Sequence, residues 1–230
     1  MKVFAIGDLH LSGAVNKPMD IFGAKWDQHT RRIQETWMSL VGTDDVVLLP
    51  GDFSWAMHLS ETAPDFAYLA ALPGKKVLIR GNHDYWWNSV TQVRAVLPPD
   101  TYVLQNDWLS LGPLCIAGSR GWICPGSAGF DPEKDLKIYN REVGRLALSL
   151  ADLPAQGRKI VMMHYPPFNE MRAASGFTEL LENAGIELVL YGHLHGKSCK
   201  NAFEGERNHV VYQLVSADHI GFTPKLVMEV

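Results

Sequence analysis

The 230-residue sequence predicts an α/β fold in one domain, on three observations. Short apolar runs read as strands, and the five strongest each stop at a cluster of Gly, Asp, Asn or His. Segments with helical spacing lie between them. No internal repeat, low-complexity tract or linker breaks the chain, and its length suits one large core.

The first run, KVFAIGDLH (2–10), is too short for a core helix and stops at Gly7. DVVLLPGD (45–52), KKVLIRGNHD (75–84), KIVMMHYPP (159–167) and ELVLYGHLH (187–195) follow the same plan. Their continuous Val, Ile and Leu content, without alternation, predicts strands covered on both faces. A further strand is expected over 114–118. A helix is expected over 27–42, with Asp27 capping its start, Gly42 its end, and Ile33, Trp37, Leu40 and Val41 on one face. Others are expected over 60–74 with Ser60 at the N-cap, from near Asn88, over 132–154, and over 176–185 closing at a glycine. From 209 onward the sequence predicts two more strands, turning near Gly221 and Pro224.

Composition narrows the function. Lys and Arg number 21 against 25 Asp and Glu, a formal charge of −4, so no strong positive field is available to hold duplex nucleic acid. A phosphate ligand would then be drawn by local sources such as bound metal ions. Cys115, Cys124 and Cys199 are few, odd in number and unpatterned, as expected of reduced thiols in a cytoplasmic protein rather than a disulfide frame or a zinc knuckle. The start, MKVFAIGDLH, lacks the apolar core of a signal peptide, and no stretch approaches the roughly 18 apolar residues of a membrane span.

Ligands of open α/β sheets gather at the loops that follow parallel strands. The five strand ends carry Asp8-x-His10, Gly51-Asp52, Gly81-Asn82-His83-Asp84, His164, and Gly192-His193-x-His195. Carboxylate, imidazole and amide oxygen form a donor set suited to manganese, iron or zinc. Two divalent ions need roughly six to eight protein ligands between them, and this set is large enough. Glycine before Asp52, Asn82 and His193 is expected to let the backbone turn sharply at each strand end. Singly, each residue has a plainer explanation: Asp8 or Asp52 could cap a turn, His164 could be a core histidine, and His193 and His195 could share a strand face by chance. Five blocks at five strand ends point to a shared site.

This ordered set, running from residue 8 to residue 195, resembles the calcineurin-like metallophosphoesterase superfamily, whose signature is D-x-H, G-D, G-N-H-D/E, H and G-H-x-H. The resemblance implies a four-layer αββα sandwich, two mixed sheets back to back with helices outside and metals at one edge. It implies Asp8, His10 and His195 as ligands of one ion, Asn82, His164 and His193 as ligands of a second, and Asp52 bridging them. His83 would stand on the substrate side, with Asp84 hydrogen-bonding it to fix its tautomer. The implied activity is phosphoester hydrolysis, in which water activated between two Mn, Fe or Zn ions attacks phosphorus and protonated His83 assists the leaving group.

The Ser/Thr phosphatases of the superfamily carry an arginine in G-D-x-V-D-R-G, and GDFSWAM here lacks it. The repair exonucleases add a capping domain for which no length remains. The expected substrate is therefore a small, nucleotide-like phosphoester, a diester ahead of a monoester. A retromer subunit that uses the fold only as a protein-binding platform lacks the catalytic histidine, whereas His83 and all the ligand positions are intact here.

Substrate contacts stay open at this level. Arg120 could reach a phosphate with its planar fork or form a structural salt bridge. His58 could touch substrate or be a solvated loop residue. Tyr85, Trp86 and Trp87 could wall a base-stacking pocket or pack in the core, as could Trp26, Trp37 and Trp55. Residues 13–26 make a long connection expected to cover one edge of the site, with Lys17 and Asp20 as candidates on it. Arg80 could pair with a nearby acid.

Overall fold

The computed structural model describes residues 1–230. Its first half runs β1 (Lys2–Ala5), α1 (His29–Leu40), β2 (Val46–Leu49), α2 (Ala63–Ala70), β3 (Lys75–Ile79), α3 (Val90–Arg94) and β4 (Thr101–Leu104). The second half runs β5 (Trp108–Leu111), β6 (Leu114–Ser119), α4 (Pro132–Leu150), β7 (Arg158–Met163), α5 (Gly176–Asn183), β8 (Leu188–Tyr191), β9 (Gly205–Arg207), β10 (Val210–Leu214) and β11 (Lys225–Glu229).

Two mixed sheets result. One has the order β11-β1-β2-β3-β4, parallel except for β11, so the last strand closes the sheet begun by the first. The other has the order β5-β6-β7-β8-β10-β9, with a parallel centre and an antiparallel strand at each edge. Strand pleating splits each apolar run between two interlayers. Val3, Val46, Val77 and Ile79 point to the second sheet and meet Ile116, Ile160, Met162 and Leu190. Their neighbours Phe4, Val47, Leu49 and Leu78 point the other way, onto Ile33 and Trp37 of α1 and Phe66 and Leu69 of α2. The second sheet turns Val161, Met163, Val189 and Tyr191 outward to Leu146 of α4 and Leu181 of α5. Three buried interlayers make four layers, αββα, as the resemblance implies. No helix is long and apolar enough to cross a membrane.

Two helix starts differ from expectation. Asp27 ends a short 3-10 turn, Ala24–Trp26, and Gln28 then takes a left-handed conformation (φ 48°), so α1 begins at His29 without a side-chain cap. The 60–74 segment divides into a 3-10 turn, Leu59–Thr62, and α2, and the Glu61 carboxylate rather than Ser60 takes the free N–H groups of Met57 and His58. Asp131 and Ser175 do cap α4 and α5. The sequence reading missed β4, β5 and β9, which are short and lie at sheet margins, where a long apolar run is not required.

Candidate metal centre

The blocks after β1, β2 and β3 meet those after β7 and β8 at the C-terminal edge shared by both sheets. There the chain accepts strain. Asp8 (φ 57°), His10 (φ 47°), Asp52 (φ 52°) and His193 (φ 71°) are all left-handed without being glycine, which costs on the order of 1–3 kcal/mol each. Backbone bonds between loops hold them: Asp8 N–H to Gly51 C=O and His10 N–H to Asp52 C=O, both 3.0 Å, and Gly192 N–H to His164 C=O at 3.1 Å. Of the three glycines expected to supply sharp turns, only Gly51 has a positive φ (91°). Gly81 and Gly192 serve a different end, because a Cβ on Gly81 would strike the Asp52 carboxylate and one on Gly192 would strike that of Asp8. The turn falls to the ligand candidates themselves, and the glycines make room for them.

Seven donors converge. Asp8, His10 and His195 offer ligand atoms within 4.8 Å of one another, and so do Asp8, Asp52 and His164. Asn82 Oδ1 lies 2.6 Å from His164 Nε2 and 2.8 Å from His193 Nδ1. Asp52 Oδ2 stands between the groups, 3.5 Å from His164 Nε2 and 3.8 Å from His10 Nε2. His195 Nε2 is 3.7 Å from Asp8 Oδ1. Two donors about 2.1 Å from one ion lie roughly 3.0–3.4 Å apart, close to these spacings. Because Asp8 belongs to both of these three-residue clusters, it reaches toward both groups and not only the one the resemblance implied.

The donor set fits a cation on its own chemistry. His164 Nδ1 lies 3.1 Å from the Pro50 carbonyl, which places the ring proton there and leaves Nε2 as a lone pair facing Asn82 Oδ1. Burial holds the His164 imidazole neutral, with its pKa down to about 3, and lowers His10 and His193 as well. Burial also pushes Asp8 up to about 7 and Asp52 up to about 6. His10 Nδ1 is buried without a partner. Neutral imidazoles beside carboxylates that resist charging are what a divalent ion would reverse.

Two second partners orient these ligands. His83 N–H donates to Asp52 Oδ1 (2.8 Å), leaving Oδ2 for the centre. His195 Nδ1 lies 2.8 Å from Asp218 Oδ1, while Asp218 Oδ2 accepts Gly196 N–H at 2.9 Å. Burial lowers the His195 pKa, but the Asp218 hydrogen bond and the Asp8 and Asp218 charges outweigh it and raise the net value. Asp218 was missed from sequence. Its signal was the one used elsewhere, an acid just past an apolar strand in VVYQLVSAD.

Asp84 does not hydrogen-bond His83. Its buried carboxylate accepts the N–H groups of Asp52 (3.0 Å), Phe53 (3.0 Å), Ser54 (3.1 Å) and Gly81 (2.7 Å), and the Trp86 indole N–H (3.0 Å). It ties the Asp52 loop to the Asn82 loop. The partner nearest the His83 ring is the Tyr85 hydroxyl, 3.5 Å from Nδ1. Burial lowers the His83 pKa although the Asp52 charge opposes it, so the free imidazole is neutral near pH 7 rather than protonated.

The other candidates divide. Trp86 and Trp87 are core residues, whereas Tyr85 is exposed. Trp55 stacks on His10 at 4.8 Å and lies 4.6 Å from His83, and Trp26 meets both His10 and His195, so these two indoles wall the centre. With Phe22, Lys25 and Met19 from the 13–26 connection they line a cleft of about 350 Å³ beside His83. Lys17 lies over the Trp55 ring, its Nζ 3.6 Å from the centroid; Asp20 is exposed and, like His58, does not line the cleft. His58 is a surface residue opening the Leu59–Thr62 turn. Arg120 is committed to the buried Glu142 at 3.0 Å, the salt-bridge alternative, and lines a different cavity together with Arg80.

No curated protein matches the chain. Among solved structures, a protein of unknown function from Aquifex aeolicus superposes with a TM-score of 0.52 at 14% identity, covering 97% of this chain and 94% of its own. A protein from Thermus thermophilus gives 0.53 at 14% identity, covering 84% of this chain and 81% of its own. These likenesses carry the fold. Residues 1–197, which contain every block described above, match the calcineurin-like phosphoesterase family, and the chain belongs to it.

Proposed function

We propose that the protein is a dinuclear-metal phosphoester hydrolase acting on a small, nucleotide-like substrate, with diesters preferred to monoesters. One observation carries this reading: carboxylate, amide and imidazole donors from both sheets face one another with lone pairs at one edge, beside an imidazole that is not among them. Asp8, His10 and His195 would hold one ion, Asn82, His164 and His193 the other, and Asp52 would contact both. When bound, the pair supplies Lewis acidity for the phosphoryl oxygens and lowers the pKa of water.

The chain's own residues do the rest. His83, held by Trp55 on the cleft side, takes up a proton as the anionic ester arrives and passes it from its ring nitrogen to the leaving oxygen. Trp26 and Trp55 exclude water and offer flat faces to a ring on the leaving group, and Lys25 adds a positive charge at the rim. The aromatic lining and its size favour a base-bearing leaving group over the extended surface of a protein substrate.

Turnover of bis-p-nitrophenyl phosphate and p-nitrophenyl phosphate by the Mn²⁺-loaded protein tests this. Diester hydrolysis at the higher kcat/KM is expected. A reversed preference replaces the diesterase reading with a monoesterase, and no turnover of either substrate with metal bound removes the enzymatic reading altogether.

A further inference from the structure

A second polar cavity, of about 120 Å³, opens where the two sheets meet beyond β3, β4 and β6. At roughly 30 Å³ per water it has room for about four waters. It is lined by Arg80, Arg120 and Arg145, with Glu142, Gln105 and Ser119 among its other polar groups. The sheets approach closely here because residue 118 is glycine: a Cβ there would lie 2.7 Å from Ile79 Cγ2.

The groups lining this cavity are unbalanced in one direction. A single oxygen of Glu142, Oε1, takes Arg145 Nη1 at 2.7 Å and Arg120 Nη2 at 3.0 Å, with Arg141 reaching it from outside at 3.6 Å. Of the charged groups that line the cavity, three are guanidiniums (Arg80, Arg120 and Arg145) and one is a carboxylate, Glu142. Asp84, the other acid near Arg80, is saturated by its five N–H donors. The Nε atoms of Arg80 and Arg120 are buried without partners. Gln105 spends its acceptor Oε1 on the Trp87 indole N–H (2.8 Å), leaving its amide hydrogens, and Ser119 Oγ accepts Gly121 N–H at 3.3 Å, leaving its hydroxyl hydrogen. A buried donor without an acceptor is costly, and guanidinium forks match tetrahedral and planar oxyanions.

We propose that this cavity binds an oxyanion of phosphate type, either inorganic phosphate or the phosphoryl group of a larger molecule. It is a second site, built from different residues than the metal centre but tied to it by the backbone. Arg80 leads directly into Gly81 and Asn82, and the Arg120 carbonyl accepts the N–H groups of His164 (3.2 Å) and Tyr165 (2.9 Å). An anion held here therefore braces the two loops that carry Asn82 and His164.

Calorimetric titration of the full chain tests this, with EDTA present so that binding at the metal centre does not contribute. Inorganic phosphate and adenosine 5′-monophosphate are the two probes. Saturable binding to wild type is expected, weakened at least about tenfold in Arg145→Gln and Arg80→Gln. Asn106→Asp guards against misfolding: Asn106 lines the rim, is exposed, and has φ 62°, which Asp also tolerates, so it adds a repelling charge without removing a buried contact. Weaker binding in Asn106→Asp supports the site. Binding of phosphate alone identifies the free anion as the ligand, and binding of both probes identifies the phosphoryl group. Binding of neither probe to wild type, or unchanged affinity in both Asn106→Asp and Arg145→Gln, overturns the proposal.

Discussion

The metal centre and the arginine cavity lie at the same edge of the two sheets, and both bury polar groups that the chain does not satisfy. They differ in sign. At the centre, acceptors face acceptors, as where His164 Nε2 and Asn82 Oδ1 approach to 2.6 Å. In the cavity, donors face donors, with Arg80 Nε and Arg120 Nε unpaired. Asp84 lies between them as the contrasting case, equally buried and pushed up to about 7 by that burial, but with five N–H groups donating to its oxygens. What singles out a ligand site is therefore not buried charge but buried charge that the protein leaves uncompensated, and the missing sign names the ligand.

Substitutions at these groups break or sharpen that contrast. Asp52→Asn removes the carboxylate placed between both donor groups, and hydrolysis is expected to fall at least about 10³-fold with loss of bound metal. Normal metal content by elemental analysis would separate Asp52 from the centre. His83→Ala is expected to slow hydrolysis by about 10²–10⁴-fold while metal content stays unchanged, which steady-state kinetics and metal analysis read together. Asp84→Asn puts an amide NH₂ among five donors, so urea denaturation in EDTA should show a loss of about 3 kcal/mol. A stability near wild type would mean that Asp84 is not a satisfied charge.

Smaller effects follow at the margin of the centre. Asp218→Asn frees the His195 ring, and metal affinity measured by competition with a chelator is expected to drop about 10–100-fold. The pH dependence has a definite sign. Asp8 at about 7 and Asp52 at about 6 hold protons that a cation displaces. Metal affinity should rise as pH climbs through that window and level off above it, with more protons released near pH 6 than above pH 8. Calorimetry in buffers of different ionisation enthalpy counts them, and equal release at both pH values would contradict the raised carboxylates.

Within one chain, legibility followed the kind of signal. The five blocks were readable because strand ends are punctuated by polar residues at fixed spacing. Trp26 and Trp55 were not, since an indole in a loop reads the same whether it packs on core or on His10. Asp84 was misread because the resemblance implied a contact with His83, whereas the turn sends its carboxylate back to the N–H groups of residues 52–54. Of the edge strands, β9 (GER) has no apolar run, and β5 (WLSL) is nowhere fully buried, whereas β4 (TYVL) carries an apolar stretch that the sequence reading passed over.

By itself the sequence determined the alternation of buried strands and amphipathic helices, and the chemistry gathered at the strand ends, because burial and donor type are properties of residues. Only the tertiary structure decided which donors are satisfied internally, which glycines turn the chain and which merely make room, and that Arg120, Arg141 and Arg145 share one carboxylate. Those are properties of pairs brought together from distant parts of the chain, and one-dimensional spacing does not encode their distances.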